Sequence, residues 1–346
     1  MRTSAYDPAR AFQAVARMRY TERALAELWQ HGLVPGELHL GIGEEAAVAG
    51  VVLHLRPGDA TATDHRSTTV LVGRGVPVEP LLRECTGDRG GLHQGHGGHM
   101  HLFVPELPSS SDGIVGSAGP FACGYALAAQ TLRPETVSVA FFGEGAANQG
   151  MLLESWNLAV AWRLPVLFVC KDNGWAITTR SAEVTGGDLR ARAAGFGLAT
   201  AEADGGDVGE VFRRAGTLLD GVRAGRAAFL RVRVHRPQGH FLGDPMLRLL
   251  DHPVRAGRPM TAGLPGAATH PSGGARAERL RGLGIVSARL GTLAASRLRH
   301  RGDPFAAARS ALPAGEAARI DQEVRDEVVA ALRRTIAATG GTEAAR

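Results

Sequence analysis

Lysine is nearly absent from this chain: a single one, Lys171, stands among 39 basic side chains, and arginine supplies the others. Aromatic residues are also few, at 5%. A net charge of +5 and an isoelectric point near 9.7 would suit a polyanion-binding surface. The arginines are scattered, however, and no basic run is interleaved with aromatic residues, so no nucleic-acid partner is expected. Diffuse arginine with abundant alanine fits a GC-rich coding sequence. Cysteine is scarce too: Cys85, Cys123 and Cys170 are too few and too far apart for a disulfide frame or a zinc site. No apolar stretch approaches the roughly 20 residues that cross a bilayer, so no membrane partner is expected. The opening "MRTSAYDPAR" lacks the apolar core of a secretory signal, and the expected location is the cytoplasm.

What remains has the composition of an ordinary globular protein, 44% apolar and 21% charged. Its 346 residues allow one large domain or two smaller ones. Residues 8–31 bring Phe12, Val15, Met18, Leu25, Leu28 and Trp29 near one face of a helix. A second helix is expected between Gly43 and Pro57, because proline cannot continue it. Small residues from Gly113 to Gln130 predict a closely packed, buried helix behind a glycine-rich approach. "VSVAFF" (137–142) and "PVLFVC" (165–170) are apolar throughout, as strands are when helices cover both faces of a parallel sheet. "NQGMLLESWNLAVAWRL" between them reads as a helix that stops before Pro165, so the three form a βαβ crossover. A helix at 208–222 and a strand at 227–234 continue the pattern.

The expected fold class is therefore α/β, a doubly wound, mostly parallel sheet with helices on both faces. Residues 255–277 are rich in Gly, Pro and Ala and read as a mobile insertion. That divides the chain into a ligand-binding domain (1–250), a flexible insertion (251–302) and a helical extension (303–346) packing on the same domain. In the extension, Ile320, Val324, Val328, Leu332 and Ile336 recur every four residues, which predicts one helix over 315–337.

The chemistry is expected at the ends of the two apolar strands, since open α/β sheets bind ligands beyond the carboxyl ends of their strands. Glu144 lies two residues past the first strand and Asn173 three past the second. Neighbouring parallel strands are about 4.8 Å apart, so both side chains can reach one point. A carboxylate and an amide oxygen there suit a hard cation such as magnesium, which takes few protein ligands and fills its octahedron with water and phosphate oxygens. Gly143 and Gly145 let a ligand approach the backbone, and a helix starting near Ala147 would aim free N–H groups at the same place. Lys171 would add positive charge at the rim. A Gly-Glu-Gly after a strand is by itself only a tight turn; the matching Asn173 makes it more.

The run "GEGAANQGMLLESWNLAVAWRLPVLFVCKDNGWAITT" closely resembles the thiamin-diphosphate motif in alpha subunits of two-component 2-oxo acid dehydrogenases of the pyruvate, branched-chain and acetoin types. The resemblance extends over residues 8–250 through "HLGIGEEA" (39–46), "DHRSTTVLVGRG" (64–75), "GGHMHLF" (97–103), "DGIVGSAGP" (112–120) and "GHFLGDP" (239–245), and is nearest the acetoin-type branch. It implies a thiamin-diphosphate-binding fold, with thiamin diphosphate and Mg2+ as cofactors. Glu144, Asn173 and the Trp175 carbonyl would hold the metal. His65 and Arg66 would contact the diphosphate, approached also by Gly143, Gly145 and Ala146. Gly113 and Val115 would present backbone groups to the aminopyrimidine. Lys171 takes the place of a phosphate-binding arginine. His240 would touch cofactor phosphate and assist acyl transfer, and His39 matches a second catalytic histidine. His93, His96, His99 and His101 fit no zinc-ligand spacing.

The sequence departs from the family pattern in several places. Glu144 stands where most relatives have aspartate, Asp172 replaces an asparagine and Trp175 a tyrosine. Thr68 stands where many pyruvate-type members have histidine, and His99 where they have serine. The resemblance also implies a beta subunit that completes the active site in an α2β2 heterotetramer. The substrate would be a small 2-oxo acid or acetoin, and the acyl unit would pass to the lipoyl domain of an acyltransferase. Two alternatives are transfer to an acyl carrier protein and a non-catalytic scaffold subunit.

Overall fold

The computed structural model describes residues 5–251, 255, 276–298 and 302–340. The chain forms two compact units, Met1–Arg236 with Gly302–Arg346, and Pro237–Arg301. In the first unit the strands are β1 (Ala60–Thr63), β2 (Phe103–Val104), β3 (Ser109–Ser111), β4 (Ser138–Gly143), β5 (Val166–Asp172), β6 (Trp175–Ala176), β7 (Thr179–Arg180), β8 (Ala199–Asp204) and β9 (Ala228–Arg233). Seven of them form one sheet in the order β2-β3-β1-β4-β5-β9-β8. Every pairing in it is parallel except β2 with β3. The expected doubly wound, mostly parallel α/β sheet is what the chain adopts. From β1 the chain moves first to β3 on one side and later to β4 on the other, so the winding direction reverses beside β1.

The helices of this unit are α1 (Pro8–Gln30), α2 (Glu45–Val52), α3 (Ser67–Gly73), α4 (Val78–Cys85), α5 (Ala118–Leu132), α6 (Gly150–Ala161), α7 (Ser181–Val184), α8 (Leu189–Gly195) and α9 (Val208–Arg223). One face of the sheet presents Ala140, Phe142, Phe168, Cys170 and Phe229 to α5, α6 and α8. Trp156 of α6 is fully buried there, with ring centroids 5.4 Å from Phe229, 5.9 Å from Phe196 and 6.4 Å from Phe168. Truncating such an aromatic costs about 3–5 kcal/mol. The alternate residues Val139, Phe141, Leu167 and Val169 are equally buried and point to the other face, covered by α9 with α2 against it. A side chain at Gly50 in α2 would come within 2.6 Å of Val211 in α9, so glycine permits that approach.

Two anchors close the unit. Buried Asp59, just before β1, accepts the Val137 N–H at 2.9 Å and ion-pairs with Arg223 of α9 at 2.7 Å. Arg19 of α1 reaches Glu45 at 2.5 Å and Asp303 at 2.7 Å, which ties the first helix to the last part of the chain.

The first unit ends in two helices. Those of the second unit, α10 (Pro245–Asp251) and α11 (Arg276–Leu298), pack on each other. In the first unit α12 (Pro304–Ser310) is followed by α13 (Ala314–Ala338), the helix expected over 315–337. All five predicted stripe residues of α13 are buried, and the helix packs on α1 and α4.

Two sequence expectations need adjustment, and a third lies outside what is described. Helix α5 buries Ala118, Gly119, Ala122, Cys123 and Ala126 but exposes Phe121, Leu127 and Leu132, so only one face is closely packed. The 3-10 turn Glu144–Asn148 precedes α6, which starts at Gly150 rather than near Ala147, because Gln149 takes extended backbone angles. The segment 255–277 lies almost entirely outside the described residues, whereas α11 occupies the later part of 251–302.

Candidate active site at the carboxyl edge of the sheet

Parallel pairing brings the carboxyl ends of β3, β1, β4 and β5 into one row, and the predicted residues follow those ends in order. Gly113 and Val115 follow β3, His65 and Arg66 follow β1, Glu144 follows β4, and Asn173 follows β5. The row straddles the reversal beside β1, where ligands of such sheets bind. Gly143 pairs in register with Lys171, so Glu144 and Asn173 leave adjacent strand tips.

Glu144 is 1% exposed. Burial first, and the nearby Asp172 second, hold its carboxyl above the usual carboxylate range. Its Oε1 accepts from the Ser181 hydroxyl at 2.8 Å and its Oε2 from the Asn173 N–H at 3.3 Å. Asn173 Oδ1 in turn accepts from the Trp175 N–H at 3.2 Å. Each of these oxygens has two acceptor directions, so one bond fixes it and leaves another direction for a cation. A Cβ at Gly143 would meet no atom within 4 Å, whereas one at Gly145 would come within 2.9 Å of Ala176. The ground in front of Gly143 is thus open, and the turn behind it is packed. A buried carboxylate beside a second carboxylate, next to an amide oxygen and an open approach, fits a hard divalent ion.

Asp172, which replaces an asparagine of the motif, does not face that group alone. Its Oδ2 is paired with Arg231 at 2.6 Å and its Oδ1 accepts the Gly174 N–H.

Lys171 is not at the rim. It is 1% exposed, and its ammonium lies 2.8 Å from Glu44 and 3.2 Å from Asp64. Position 171 falls inside β5, whose residues are all buried, so the side chain runs within the unit rather than over its surface. Those two carboxylates hold its pKa up against the burial that lowers it.

Arg66, also 1% exposed, donates from Nη1 to the Leu40 carbonyl at 2.7 Å and lies 4.0 Å from Glu44. Burial first, and the positive charge of Arg236 second, bring its pKa down to about 9. Arg236 itself sits 3.4 Å from Glu44. Two guanidiniums crowded this way are relieved by an anion, and a diphosphate fits.

His39 packs edge-on against His65, with ring centroids 4.7 Å apart and planes at 75°. Its Nδ1 lies 3.3 Å from His99 Nε2. Two other histidines of the glycine-rich loop go elsewhere: His93 Nε2 accepts from the Phe103 N–H, and His101 lies 3.4 Å from Asp112. His240 belongs to the second unit, in the segment before α10.

Sequence reasoning missed three buried residues. Glu22 of α1 accepts from the Thr68 hydroxyl in a very short hydrogen bond and from the Gly41 N–H at 2.9 Å. Burial raises its pKa to about 7, with those bonds pulling the other way. Glu44 meets Lys171, Arg66 and Arg236, and its place in "GEEA" had suggested only a helix start. Glu84 holds the histidine-rich loop through the backbone N–H groups of His93, Gly95 and Gly97, at 2.6, 3.0 and 2.6 Å. The pattern of glycines spaced two apart was the one available signal for that carboxylate.

A doubly wound sheet with an acid–amide pair and a buried guanidinium at its reversal defines an α/β protein whose polar groups gather where such sheets bind ligands. Residues 13–248 match the family model described as "Dehydrogenase E1 component", and the chain belongs to that family of oxidoreductases. The chain is 38% identical over 236 residues to the alpha subunit of acetoin:2,6-dichlorophenolindophenol oxidoreductase from Cupriavidus necator, covering 67% of this chain and 71% of the relative. It is 35% identical over 242 residues to the pyruvate dehydrogenase E1 component subunit alpha of Rhizobium meliloti, covering 69% and 70%. A solved structure from Mycobacterium smegmatis, described as a thiamin diphosphate-dependent enzyme, superposes on 58% of this chain and 33% of its own. At 19% identity and a TM-score of 0.40, that likeness is too slight to build on. Among the described residues no helix is long and apolar enough to cross a membrane.

Proposed function

We propose that this chain is the alpha subunit of a thiamin diphosphate- and magnesium-dependent dehydrogenase component acting on a small 2-oxo acid or on acetoin. A beta subunit completes its active site in an α2β2 assembly, and the acyl unit passes to a lipoyl group. The observation that carries the reading is the row at the sheet edge: Glu144 and Asn173 after two paired parallel strands, with His65 and Arg66 after the strand beside them. Relatives at 35–38% identity are named as alpha subunits of enzymes for acetoin and pyruvate.

In this reading Glu144, Asn173 and the Trp175 carbonyl hold Mg2+, whose preference is for oxygen donors. Gly143, Gly145 and Ala146 give the diphosphate a close backbone approach, and His65 and Arg66 bind its oxygens, arginine through its planar fork. Gly113 and Val115, on the loop after β3, face the aminopyrimidine with backbone groups. Lys171 acts from within, by neutralising Glu44 and Asp64 so that the neighbouring positive charge is available to phosphate. When bound, thiamin diphosphate supplies the electron sink that decarboxylation requires. His39 and, from its motif, His240 are the proton carriers, as imidazoles suit transfer near neutral pH. An exposed apolar strip on α5 and just after α6, formed by Phe121, Leu127, Leu132 and Trp162, supports a protein partner.

Calorimetry tests the reading. Thiamin diphosphate with Mg2+, titrated into the chain mixed with its beta partner, should give saturable heat, and Glu144→Ala or Asn173→Ala should weaken binding at least tenfold. No heat with the native pair would favour a scaffold subunit, and turnover by the chain alone would overturn the two-subunit assignment. Offering a lipoyl domain and an acyl carrier protein side by side identifies the acceptor.

A further inference from the structure

His99 stands where many pyruvate-type relatives have serine, and the fold goes to some length to hold it. Glu84 gathers three backbone N–H groups of the preceding loop. The His99 carbonyl accepts from the Ser67 hydroxyl at 3.2 Å, which ties it to the start of α3 beside Arg66. The ring stacks on His39 with centroids 5.6 Å apart and planes at 21°. His65 also packs edge-on against His39. His39 thus touches two rings, with its Nδ1 3.3 Å from His99 Nε2.

The charged and titratable groups facing His99 are Arg66 from the start of α3, His101 from its own loop, and His39. Burial first, then Arg66, then His101, bring the His99 pKa down to about 4, so the ring is neutral at working pH. A neutral imidazole has one N–H and one bare nitrogen. If His99 Nε2 donated, a proton could not add to His39 Nδ1, and His39 would keep its own proton on Nε2. If His99 Nε2 accepts, His39 carries a fixed proton on Nδ1 in both its neutral and its protonated form. The contact then survives proton uptake, which takes place at Nε2.

We propose that His99 is a positioning residue: its bare Nε2 accepts from His39 Nδ1–H and so dedicates His39 Nε2 to proton exchange. Its ground, proton uptake by His39, rests on the functional reading above, but the measurement of the tautomer does not. Long-range 1H–15N correlation on the full chain, labelled at histidine and assigned with His39→Gln, reads it directly. In the native chain the neutral form of His39 should be protonated on Nδ1. His99→Phe, a ring of similar size without an acceptor, should move the Nδ1–H to Nε2–H ratio about fivefold toward Nε2–H, the effect of one net hydrogen bond. His99→Gln, whose amide oxygen can accept, should restore the ratio. In the assembled enzyme His99→Phe should shift the acidic limb of the kcat profile while KM stays within twofold. A native His39 protonated on Nε2, or the same ratio in native, Phe and Gln forms, overturns the proposal. Failure to bind thiamin diphosphate with the tautomer as stated would sink the functional reading alone.

Discussion

Replacing Glu84 by glutamine keeps the size of a fully buried side chain and removes its charge and half of its acceptor capacity. The His93 and Gly95 N–H groups both reach Oε2, and the Gly97 N–H reaches Oε1. A glutamine carbonyl placed at the Oε2 position keeps two bonds, now between neutral groups, and loses roughly 0.5–1 kcal/mol on each. Its NH2 then faces the Gly97 N–H, donor against donor, at a cost of about 1–3 kcal/mol for the unsatisfied group. The glycines cannot make room by rebuilding: a Cβ at Gly91 would lie 2.5 Å from Glu84 Oε2, so the loop is already in contact with the carboxylate. The expected loss is about 3 kcal/mol. With a urea slope of roughly 3 kcal/mol per M for a chain this long, the unfolding midpoint should fall by about 1 M. Amide exchange at Gly97 should also quicken. A midpoint shift under about 0.2 M at unchanged slope would refute the assignment of Glu84 as the loop's anchor.

Glu22 gives a pH dependence. Its folded pKa of about 7 lies above the ordinary 4.5, so between those values the folded chain holds the extra proton. Its contribution to stability is therefore greatest below the lower value and declines by roughly 3 kcal/mol as pH rises through the upper one. Glu22→Gln should flatten the fall in urea midpoint between pH 5 and pH 8; a variant with the native slope would show that the proton sits elsewhere. Lys171→Met should destabilise by about 3 kcal/mol, because Glu44 and Asp64 lose their shared cation inside the unit. Adding Asp64→Asn should return part of that loss. Equal denaturation curves for native and Lys171→Met would place the ammonium outside the buried cluster.

The long apolar strands and the helix between them were legible because each residue type agreed with its neighbours. β4, β5 and α9 fell within two residues of expectation and α6 within three. β1, "ATAT", and β3, "SSS", were not seen: β1 is only four residues long and sets its two branched threonines between alanines, and β3 has no branched or aromatic side chain at all. They are strands because the sheet recruits them, with the Thr61 hydroxyl donating to Ser109 at 2.8 Å across the pair. The carboxyl-edge placement of Glu144 and Asn173 followed from counting residues past β4 and β5. The burial of Lys171 did not, because its two carboxylate partners come from residues 107 and 127 positions earlier and no local pattern announces them. Likewise the contact between His39 and His99 joins two loops 60 residues apart, and nothing short of the fold could reveal it.

The seclusion of the lone lysine changes how the outside of the molecule responds to alkali. Guanidinium groups alone carry the positive charge of the surface, and they stay protonated beyond pH 12. The three thiols are buried, and two of the three phenols, Tyr6 and Tyr20, are pushed up, by burial first. Electrophoretic mobility should therefore stay nearly level from neutrality into strongly basic buffers, where a lysine-rich protein drifts steadily toward the anode. Acylating reagents aimed at ε-amines should find no side chain to modify until the chain unfolds.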